Sequence, residues 1–477
     1  MSQQRPNVVL VAVDQWRGDC LSGAGHPVVR TPYLDGLAAR GARFDRAYSG
    51  CPTCIPARAT LHTGLSAAHT GRVGYRDGVP WDFPVTLAGE FSRQGYQTRA
   101  IGKLHAYPER NRIGFDEVVL HDGYLHASRA RQRDPRFHDD YLSWLRRQPG
   151  ESPDADHTEH GLQCNSVVAR PWGRAERLHP TNWVVTEAID FLYRRDPTVP
   201  FFLHLSFHRP HPPYDPPAWA FEQYLAAPQY EPVVGDWVGA HESWRDDGQP
   251  DANAAVYDPV TLHRARAGYY GHMSHIDQQV HRFAEALAEF GERDTWLCFT
   301  SDHGEMLGEH HLFRKAYGYE GSARVPLLLA GPPGALPGGV ATDAVVELRD
   351  VMPTLLDCAG LSTPDGLDGR SLLPLARGGG APVREYLHGE HVLFDEAQHW
   401  LTDGREKYLW FSGSGREQLF DLSADPHECH DAAGERPERV TYWRERLVAE
   451  LTGRPEGFVH NGQLCAGRPV TEVISTG

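Results

Sequence analysis

Apolar runs that alternate with helical periodicity dominate the first 380 residues of the chain. Four of these runs lack polar alternation, which is typical of strands buried on both faces of a parallel sheet: 7–13, 200–207, 295–301 and 325–330. A fifth strand is predicted at 97–101. Segments with helical periodicity lie between or beside them, at 31–41, 86–94, 182–194, 262–290 and 350–359. The alternation predicts an α/β fold with a large, mostly parallel central sheet flanked by helices.

Beyond residue 380 the pattern changes to short β-type runs. The runs at 407–411 and 417–421 predict a short antiparallel sheet, and 437–452 predicts one more helix. We therefore expect an α/β catalytic domain over residues 1–380 and a smaller C-terminal α+β subdomain over 381–477. The segments 106–180 and 214–258 show little periodicity, and we interpret them as long loops, the first of them a lid.

Composition narrows the classes of function. The 477 residues carry 47 basic and 63 acidic side chains, and a net charge of −16 argues against nucleic acid as a partner. The apolar run before Asp14 is too short for a signal peptide, and no stretch is long enough to span a membrane. Eight scattered cysteines are typical of reduced thiols and not of a disulfide framework. We expect a cytoplasmic enzyme without a membrane partner, and a homo-oligomer is possible.

Polar clusters follow four of the predicted strands at the point where each strand ends. They are Asp14-Gln15, Lys103 with His105, His208 with His211, and Asp302-His303. Sites in open α/β sheets form at the carboxyl edge of the strands. One such cluster is a weak signal, but four at equivalent positions predict a single site.

Two of these clusters have the residue types of a metal site. Asp14, Gln15, Asp302 and His303 offer two carboxylates, an amide oxygen and an imidazole. Oxygen-rich ligation of this kind favours Ca²⁺, Mg²⁺ or Mn²⁺ over zinc. The alternative is that both aspartates simply cap the loops after their strands.

Cationic groups near such a metal suggest an anionic substrate. Lys103, His105, His211 and Lys315 supply two ammonium groups and two imidazoles, which suit a tetrahedral oxyanion. One of the histidines could protonate a leaving oxygen. Taken singly, each histidine could equally be a core or surface residue, and Lys315 a solvated charge.

The segment 49–64 contains Cys51 and Cys54 and allows three interpretations. A redox pair is expected in a small thioredoxin-like unit, and this chain is too large for one. A zinc half-site needs a second Cys/His pair at suitable spacing, and none is evident. A nucleophilic Cys54 would benefit from the N-terminus of a helix that we predict to begin at Pro56.

The run Cys54-Ile-Pro-Ala-Arg58, followed by Leu61 and Thr63-Gly64, resembles the signature of the formylglycine-dependent type I sulfatases of the alkaline phosphatase superfamily. Further segments resemble family landmarks in the family's order: NVVLVAVDQ, GKLH, PHPP, TSDHGE, KAYGYEGSARVP and LFDLSADPHE. The resemblance implies an alkaline-phosphatase-like fold. It also implies hydrolysis of a small-molecule sulfate monoester to an alcohol or phenol and inorganic sulfate, as in an arylsulfatase.

The resemblance also implies roles for the candidate residues. Cys54 would be oxidised to formylglycine by a maturation enzyme, and Arg58 would hold that residue in place. One divalent cation, with calcium the first choice, would bind the formylglycine oxygen and four side chains: Asp14, Gln15, Asp302 and His303.

The same resemblance assigns the groups that handle the substrate. Lys103 and Lys315 would bind sulfate oxygens, and His105 would help to release sulfate from the formylglycine. His211 would protonate the leaving alcohol or phenol. His208 falls outside the PHxP turn of the family, and we assign it no direct role.

Three positions depart from the commonest family pattern: Ala57 replaces a frequent Ser, Gln15 a frequent Asp, and His303 a frequent Asn. This combination resembles the branch that holds choline sulfatases and phosphonate monoester hydrolases. Hydrolysis of a phosphonate monoester or a phosphodiester is therefore an alternative. A non-catalytic or thiol-redox protein with an intact Cys54 is another. We expect the loops 106–180 and 214–258 and the segment 387–391 to shape the pocket for the alcohol.

Overall fold

The computed structural model describes residues 5–123, 137–159, 161–228 and 230–475. Its central feature is an eight-stranded sheet with the order β10-β2-β9-β7-β1-β6-β4-β5. These strands are β1 (Asn7–Asp14), β2 (Ala42–Phe44), β4 (Gln97–Gly102), β5 (Glu117–Leu120), β6 (Phe201–Pro210), β7 (Thr295–Ser301), β9 (Leu327–Ala330) and β10 (Val340–Thr342). A three-stranded sheet joins β3 (Ala47–Tyr48), β8 (Arg324–Val325) and β11 (Val346–Glu347).

Strand β1 lies inside the sheet and is parallel to both of its neighbours. Val11 pairs with Leu205 of β6 and with Phe299 of β7. All eight residues of β1 are buried, and they alternate between two hydrophobic cores, with Val9 in one and Leu10 in the other. A strand without polar alternation is therefore covered on both faces, which confirms the predicted α/β layering.

Most of the helices lie on the two faces of this sheet, and the last one packs on the C-terminal antiparallel sheet. The helices are α1 (Pro32–Ala39), α2 (Cys54–Thr63), α3 (Ala67–Thr70), α4 (Leu87–Arg93), α5 (Asp140–Leu145), α6 (Pro180–Arg194), α7 (Ala218–Leu225), α8 (Pro259–Glu289), α9 (Glu320–Ala323), α10 (Val351–Cys358), α11 (Leu373–Ala376) and α12 (Pro437–Leu451). The long helix α8 begins with Pro259 in its first turn, and the Asp258 carboxylate accepts hydrogen bonds from two backbone N–H groups of that turn. No helix among the described residues is both long and apolar enough to cross a bilayer.

The predicted strand 325–330 is two strands in two different sheets. Pro326 has no N–H to donate to a strand ladder, so the strand is interrupted at this residue. Arg324–Val325 joins the three-stranded sheet, whereas Leu327–Ala330 enters the large sheet antiparallel to β7. The large sheet is therefore mostly but not wholly parallel.

The segments interpreted as loops also contain regular structure. β5 is an edge strand of the central sheet, and α5 follows it at Asp140–Leu145. Helix α7 lies within 214–258. The four residues of β5 are mostly half-buried or exposed, so they carry no long apolar run for sequence reasoning to detect. Residues 124–136 of the predicted lid lie outside the described residues.

The C-terminal part contains the predicted antiparallel sheet. Its strands run β12 (Leu387–Leu393), β13 (Glu396–Thr402), β14 (Glu406–Phe411) and β15 (Glu417–Asp421), each antiparallel to the next. A further pair is formed by β16 (Val459–His460) and β17 (Gln463–Leu464). The domain boundary at residue 380 stays a prediction. All eight cysteines of the chain lie among the described residues, and all are free.

Candidate active site

The carboxyl ends of four central strands meet at one cavity. Asp14 ends β1, Lys103 follows β4, His211 follows β6, and Asp302 follows β7. The cavity beside them has a volume of about 400 Å³, and five predicted site residues line it: Cys54, Lys103, His105, His211 and Lys315. Parallel strand order thus brings together side chains that are almost 300 positions apart in sequence.

The helix that carries the candidate nucleophile begins at Cys54 and not at Pro56. Thr53 has an extended backbone and occupies the position before the first turn, so Cys54 is the first helical residue. Pro56 is tolerated there because N–H groups of the first turn have no partner within the helix. All ten residues of α2 are buried. The positive end of a buried helix dipole therefore lies at Cys54 and favours negative charge there.

Four predicted ligands form a compact, fully buried cluster. Ligand atoms of Asp14, Cys54, Asp302 and His303 all lie within 4.8 Å of one another. His303 Nε2 is 3.2 Å from both Asp14 Oδ1 and Cys54 Sγ, and 3.5 Å from Asp302 Oδ1. Burial alone would lower the pKa of His303, but Asp302, the Cys54 thiolate and Asp14 raise it to about 10. A field that negative, with two carboxylates in the donor set, fits a hard divalent cation.

Gln15 connects this cluster to Lys315. Its backbone N–H donates to Asp302 Oδ1 at 3.1 Å, and its side-chain oxygen accepts from Lys315 Nζ at 2.7 Å. Its side-chain nitrogen donates to Glu305, and its carbonyl accepts from Tyr269 Oη at 2.6 Å. Glu305 and Tyr269 received no role from the sequence, although Glu305 lies within the TSDHGE landmark.

Arg58 forms a fully buried ion pair with Asp302. Its Nε donates to Asp302 Oδ2 at 3.0 Å, and both side chains are inaccessible to solvent. Its Nη1 donates to the Lys103 carbonyl and to Ser206 Oγ, both at 2.8 Å. Arg58 therefore joins α2 to the ends of β4, β6 and β7, and its direct contact is with a predicted metal ligand.

Lys103 lies between Asp14 and Cys54. Its ammonium contacts the Asp14 carboxylate and is 3.6 Å from Cys54 Sγ. Burial and Asp14 would raise the pKa of Cys54, but Lys103, Lys315 and His303 together lower it. The site thus stabilises negative charge at the position of the Cys54 side chain, which is where an anionic ester would react.

His105 is held by an aspartate that the sequence did not single out. The Asp122 carboxylate accepts the backbone N–H groups of Leu104 at 2.6 Å and of His105 at 3.0 Å. His105 has a left-handed backbone, with φ of 56°, so these bonds secure an uncommon conformation. Asp122 lies just after the undetected strand β5, which explains why no sequence signal indicated it.

His211 faces the same cavity from the end of β6. Its backbone N–H donates to the Asp14 carbonyl at 3.1 Å, and its Nδ1 is 2.8 Å from the Pro212 carbonyl. Since a carbonyl only accepts, Nδ1 carries the hydrogen and Nε2 is the nitrogen left for a substrate. Burial and the neighbouring Lys315 hold the pKa of His211 well below its usual value.

The three segments that were expected to shape the pocket each contribute to the remaining wall of the cavity. Cys164 and Asn165 belong to 106–180, Asn253 to 214–258, and His391 to 387–391. Apolar surface is added by Tyr75, Val392, Leu393 and Phe394. His391 Nε2 is also 2.9 Å from Thr53 Oγ1, so the C-terminal sheet contacts the residue before Cys54.

Known proteins resemble this chain over most of its length. The sulfatase family model matches residues 6–361, and the model of the C-terminal region of N-sulphoglucosamine sulphohydrolase matches residues 308–452. An arylsulfatase of Clostridium perfringens is 46% identical over 476 residues, which cover 98% of each chain. A choline-sulfatase of Rhizobium meliloti is 30% identical, over 91% of this chain and 83% of that one.

Solved structures show the same fold. The phosphonate monoester hydrolase of Agrobacterium radiobacter superposes with a TM-score of 0.78 at 28% identity, covering 93% of this chain and 95% of that chain. A structure solved in complex with D-glucosamine-2-N,6-O-disulfate has a TM-score of 0.73 at 19% identity. At that identity the second likeness concerns the fold alone.

Proposed function

Because the chain belongs to the sulfatase family, we propose that it hydrolyses sulfate monoesters of phenols in the cavity beside Cys54. The observation that carries the proposal is the convergence of Lys103, Lys315 and His211 on Cys54 at a helix N-terminus. Two ammonium groups and a helix dipole suit a sulfate ester, and an imidazole suits its leaving oxygen. The apolar wall and the arylsulfatase relative favour a phenol as the alcohol half.

Two groups complete the proposed site. Formylglycine made from Cys54 would supply a hydrated aldehyde as the nucleophile. A divalent cation, with Ca²⁺ as the first choice, would supply positive charge beside that nucleophile and polarise its oxygen. Asp14, Gln15, Asp302 and His303 would hold the cation. The buried donor set supports this assignment, since two carboxylates, an imidazole and the Cys54 side chain present ligand atoms within 4.8 Å of one another.

The residues of the chain would perform the remaining chemistry. Lys103 and Lys315 bind sulfate oxygens and offset the charge that gathers on them as the ester S–O bond breaks. His211, protonated on both ring nitrogens when the anionic ester is bound, would give its Nε2 proton to the departing phenol oxygen. The negative charge of the ester would offset the burial and the Lys315 charge that lower the pKa of His211 in the free site. His105 accepts the proton that is released when sulfate leaves. Arg58 holds Asp302 and the Lys103 backbone in fixed positions during the reaction.

A phosphonate monoester or phosphodiester is the second candidate substrate. The superposition on a phosphonate monoester hydrolase supports this candidate. The 46% identity to an arylsulfatase favours a sulfate ester more strongly, so the phosphorus esters rank second. We would compare kcat/KM for a sulfate, a phosphonate and a phosphodiester that share the same phenol. The sulfate is expected to be the best substrate, and a sulfate poorer by orders of magnitude would contradict the proposal.

Formylglycine is tested by mass spectrometry of the tryptic peptide 47–58 from protein made with a maturation enzyme. The peptide is expected to contain an aldehyde in place of the Cys54 thiol and an intact Cys51. Two intact cysteines in an active protein would exclude formylglycine as the nucleophile. The maturation enzyme, a homo-oligomer and a cytoplasmic location stay predictions from the sequence.

Replacement of Lys103 by alanine is expected to lower kcat for an aryl sulfate by roughly 10²–10³-fold, the scale for losing one oxyanion contact. The ammonium is buried against Asp14 and Cys54, so solvent cannot replace it. Stopped assays of kcat and metal content together provide the check. A variant with normal metal content and a near wild-type rate would show that Lys103 does not stabilise the reacting sulfate.

Replacement of His211 by glutamine is expected to act through the leaving group. Turnover of sulfates of weakly acidic phenols should fall by about 10²–10⁴-fold, the usual contribution of a general acid. Sulfates of strongly acidic phenols should lose far less, because their oxygen leaves without a proton. A plot of log kcat/KM against phenol pKa should become steeper in the variant. An unchanged slope would assign proton donation to another group.

A further inference from the structure

The cavity has a second cluster of metal-ligating side chains. Cys164, His208 and His211 each offer a ligand atom, and these atoms lie within 4.8 Å of one another. All three residues line the cavity, and their side chains are only 4–6% exposed. Cys164 and His208 have no part in the proposed reaction, so their placement beside the proton donor needs another account.

The donor set of this cluster differs from that of the cluster around Asp14. One sulfur and two imidazole nitrogens form a soft set that prefers zinc, whereas carboxylate oxygens prefer calcium or magnesium. Two clusters with opposite metal preferences therefore meet at this cavity, the first of them through Cys54. A soft metal that enters from solvent would be drawn to the Cys164 side.

The distances permit zinc with small side-chain movements. Cys164 Sγ is 4.0 Å from His211 Nδ1, and tetrahedral zinc needs sulfur and nitrogen ligands about 3.5 Å apart. Cys164 Sγ now makes only long contacts, including one of 3.6 Å to the Pro212 carbonyl, so little is lost when it moves.

Charge at the cluster is also compatible with a cation. The Arg209 guanidinium pairs with Asp215 through bonds of 2.9 and 3.1 Å, so its positive charge is balanced. Its Nη1 also donates to His208 Nδ1, and His208 gives up this bond when it binds zinc. Burial raises the pKa of the Cys164 thiol to about 12, and the group stays protonated until a metal displaces that proton.

We propose that Cys164, His208 and His211 form a zinc site that reversibly inhibits the enzyme. Zn²⁺ binds the Cys164 sulfur and one ring nitrogen of each histidine, the thiol proton passes to solvent, and water fills the fourth position. At His211 the nitrogen near Cys164 is Nδ1, so zinc displaces the hydrogen bond from Nδ1 to the Pro212 carbonyl, and the ring proton moves to Nε2. Inhibition follows because a zinc-bound ring cannot take up the second proton that His211 gives to the leaving oxygen. The binding of zinc stands on these side chains alone, and only its inhibitory effect rests on the proposed function.

Titration of the matured enzyme with ZnCl₂ in calcium buffer, with an aryl sulfate as substrate, tests the inhibition. Wild-type turnover is expected to fall and to return after chelation and renewed calcium. Cys164→Ala and His208→Gln are expected to need at least about tenfold more zinc for half inhibition, measured relative to the turnover of each variant without zinc, which is the scale for losing a ligand or its support. Cys298→Ala removes another buried thiol and should respond like wild type. Equal inhibition of all four proteins would place the zinc elsewhere and overturn the proposal.

Cobalt absorption tests binding without activity. Co²⁺ added to the otherwise inactive Cys54→Ala variant is expected to give thiolate-to-cobalt charge-transfer absorption, and the further change Cys164→Ala should abolish it. Absorption without inhibition would retain the site and refute its effect on turnover. Absence of the absorption in Cys54→Ala would refute the site itself, whatever the enzyme hydrolyses.

Discussion

Replacement of Cys54 by alanine is expected to lower the turnover of aryl sulfates by roughly 10⁴–10⁶-fold, the scale for removing a covalent nucleophile. Cys54 is the first residue of a fully buried helix and lies between Asp14, Lys103 and His303. Alanine keeps the helix start but offers no atom that can become an aldehyde. The loss should appear in kcat and persist at saturating substrate.

Cys51 provides the matched control for this variant. It is three residues away and also buried, but it packs in an apolar cluster with Ala67, Val73 and Val392 and does not line the cavity. Cys51→Ala is expected to cost about 1 kcal/mol of unfolding free energy and to leave kcat nearly unchanged. If both variants lost activity equally, the two cysteines would act as a pair, and the assignment of Cys54 alone would be wrong.

Replacement of Arg58 by methionine is expected to destabilise the protein by roughly 3–5 kcal/mol and to abolish turnover. The substitution leaves Asp302 buried without its cationic partner, and it also removes hydrogen bonds to the Lys103 carbonyl and Ser206. Urea unfolding followed by fluorescence measures the first effect, and an aryl sulfate assay measures the second.

Two further variants separate the effect of the unpaired charge from the effect of lost packing and hydrogen bonds. Combining Arg58→Met with Asp302→Leu removes both members of the buried pair, so much of the lost stability should return while turnover stays absent. Arg58→Lys keeps a positive charge but loses the guanidinium fork that reaches Lys103 and Ser206. Its unfolding free energy should lie between those of Arg58→Met and the double variant. Destabilisation that simply adds up in the double variant would show that Arg58 and Asp302 are not energetically coupled.

Most of the central layer follows from the sequence because its strands are long and apolar. The runs that became β1, β6 and β7 needed no polar face, and a sheet with two covered faces is the arrangement that buries them. The polar residues after those strands then had to meet at one edge. For this reason Asp14, Lys103, His211 and Asp302 could be gathered into one site before any distance was known.

Short elements were beyond sequence reasoning. The four residues of β5 have no apolar period, and the break at Pro326 sends two halves of one apolar run into different sheets. The start of α2 was placed two residues late, because proline is tolerated within the first turn and the sequence does not show which position of that turn Pro56 occupies.

The sequence by itself determined the layered fold and the family, because burial periodicity and the Cys54–Gly64 motif are local properties of the chain. Tertiary structure alone decided what surrounds the motif. It placed Arg58 on Asp302 and Gln15 between Lys315 and Glu305. It also brought the C-terminal strand β12 against Thr53. These contacts join residues hundreds of positions apart, and only the packing of complete elements sets their distances.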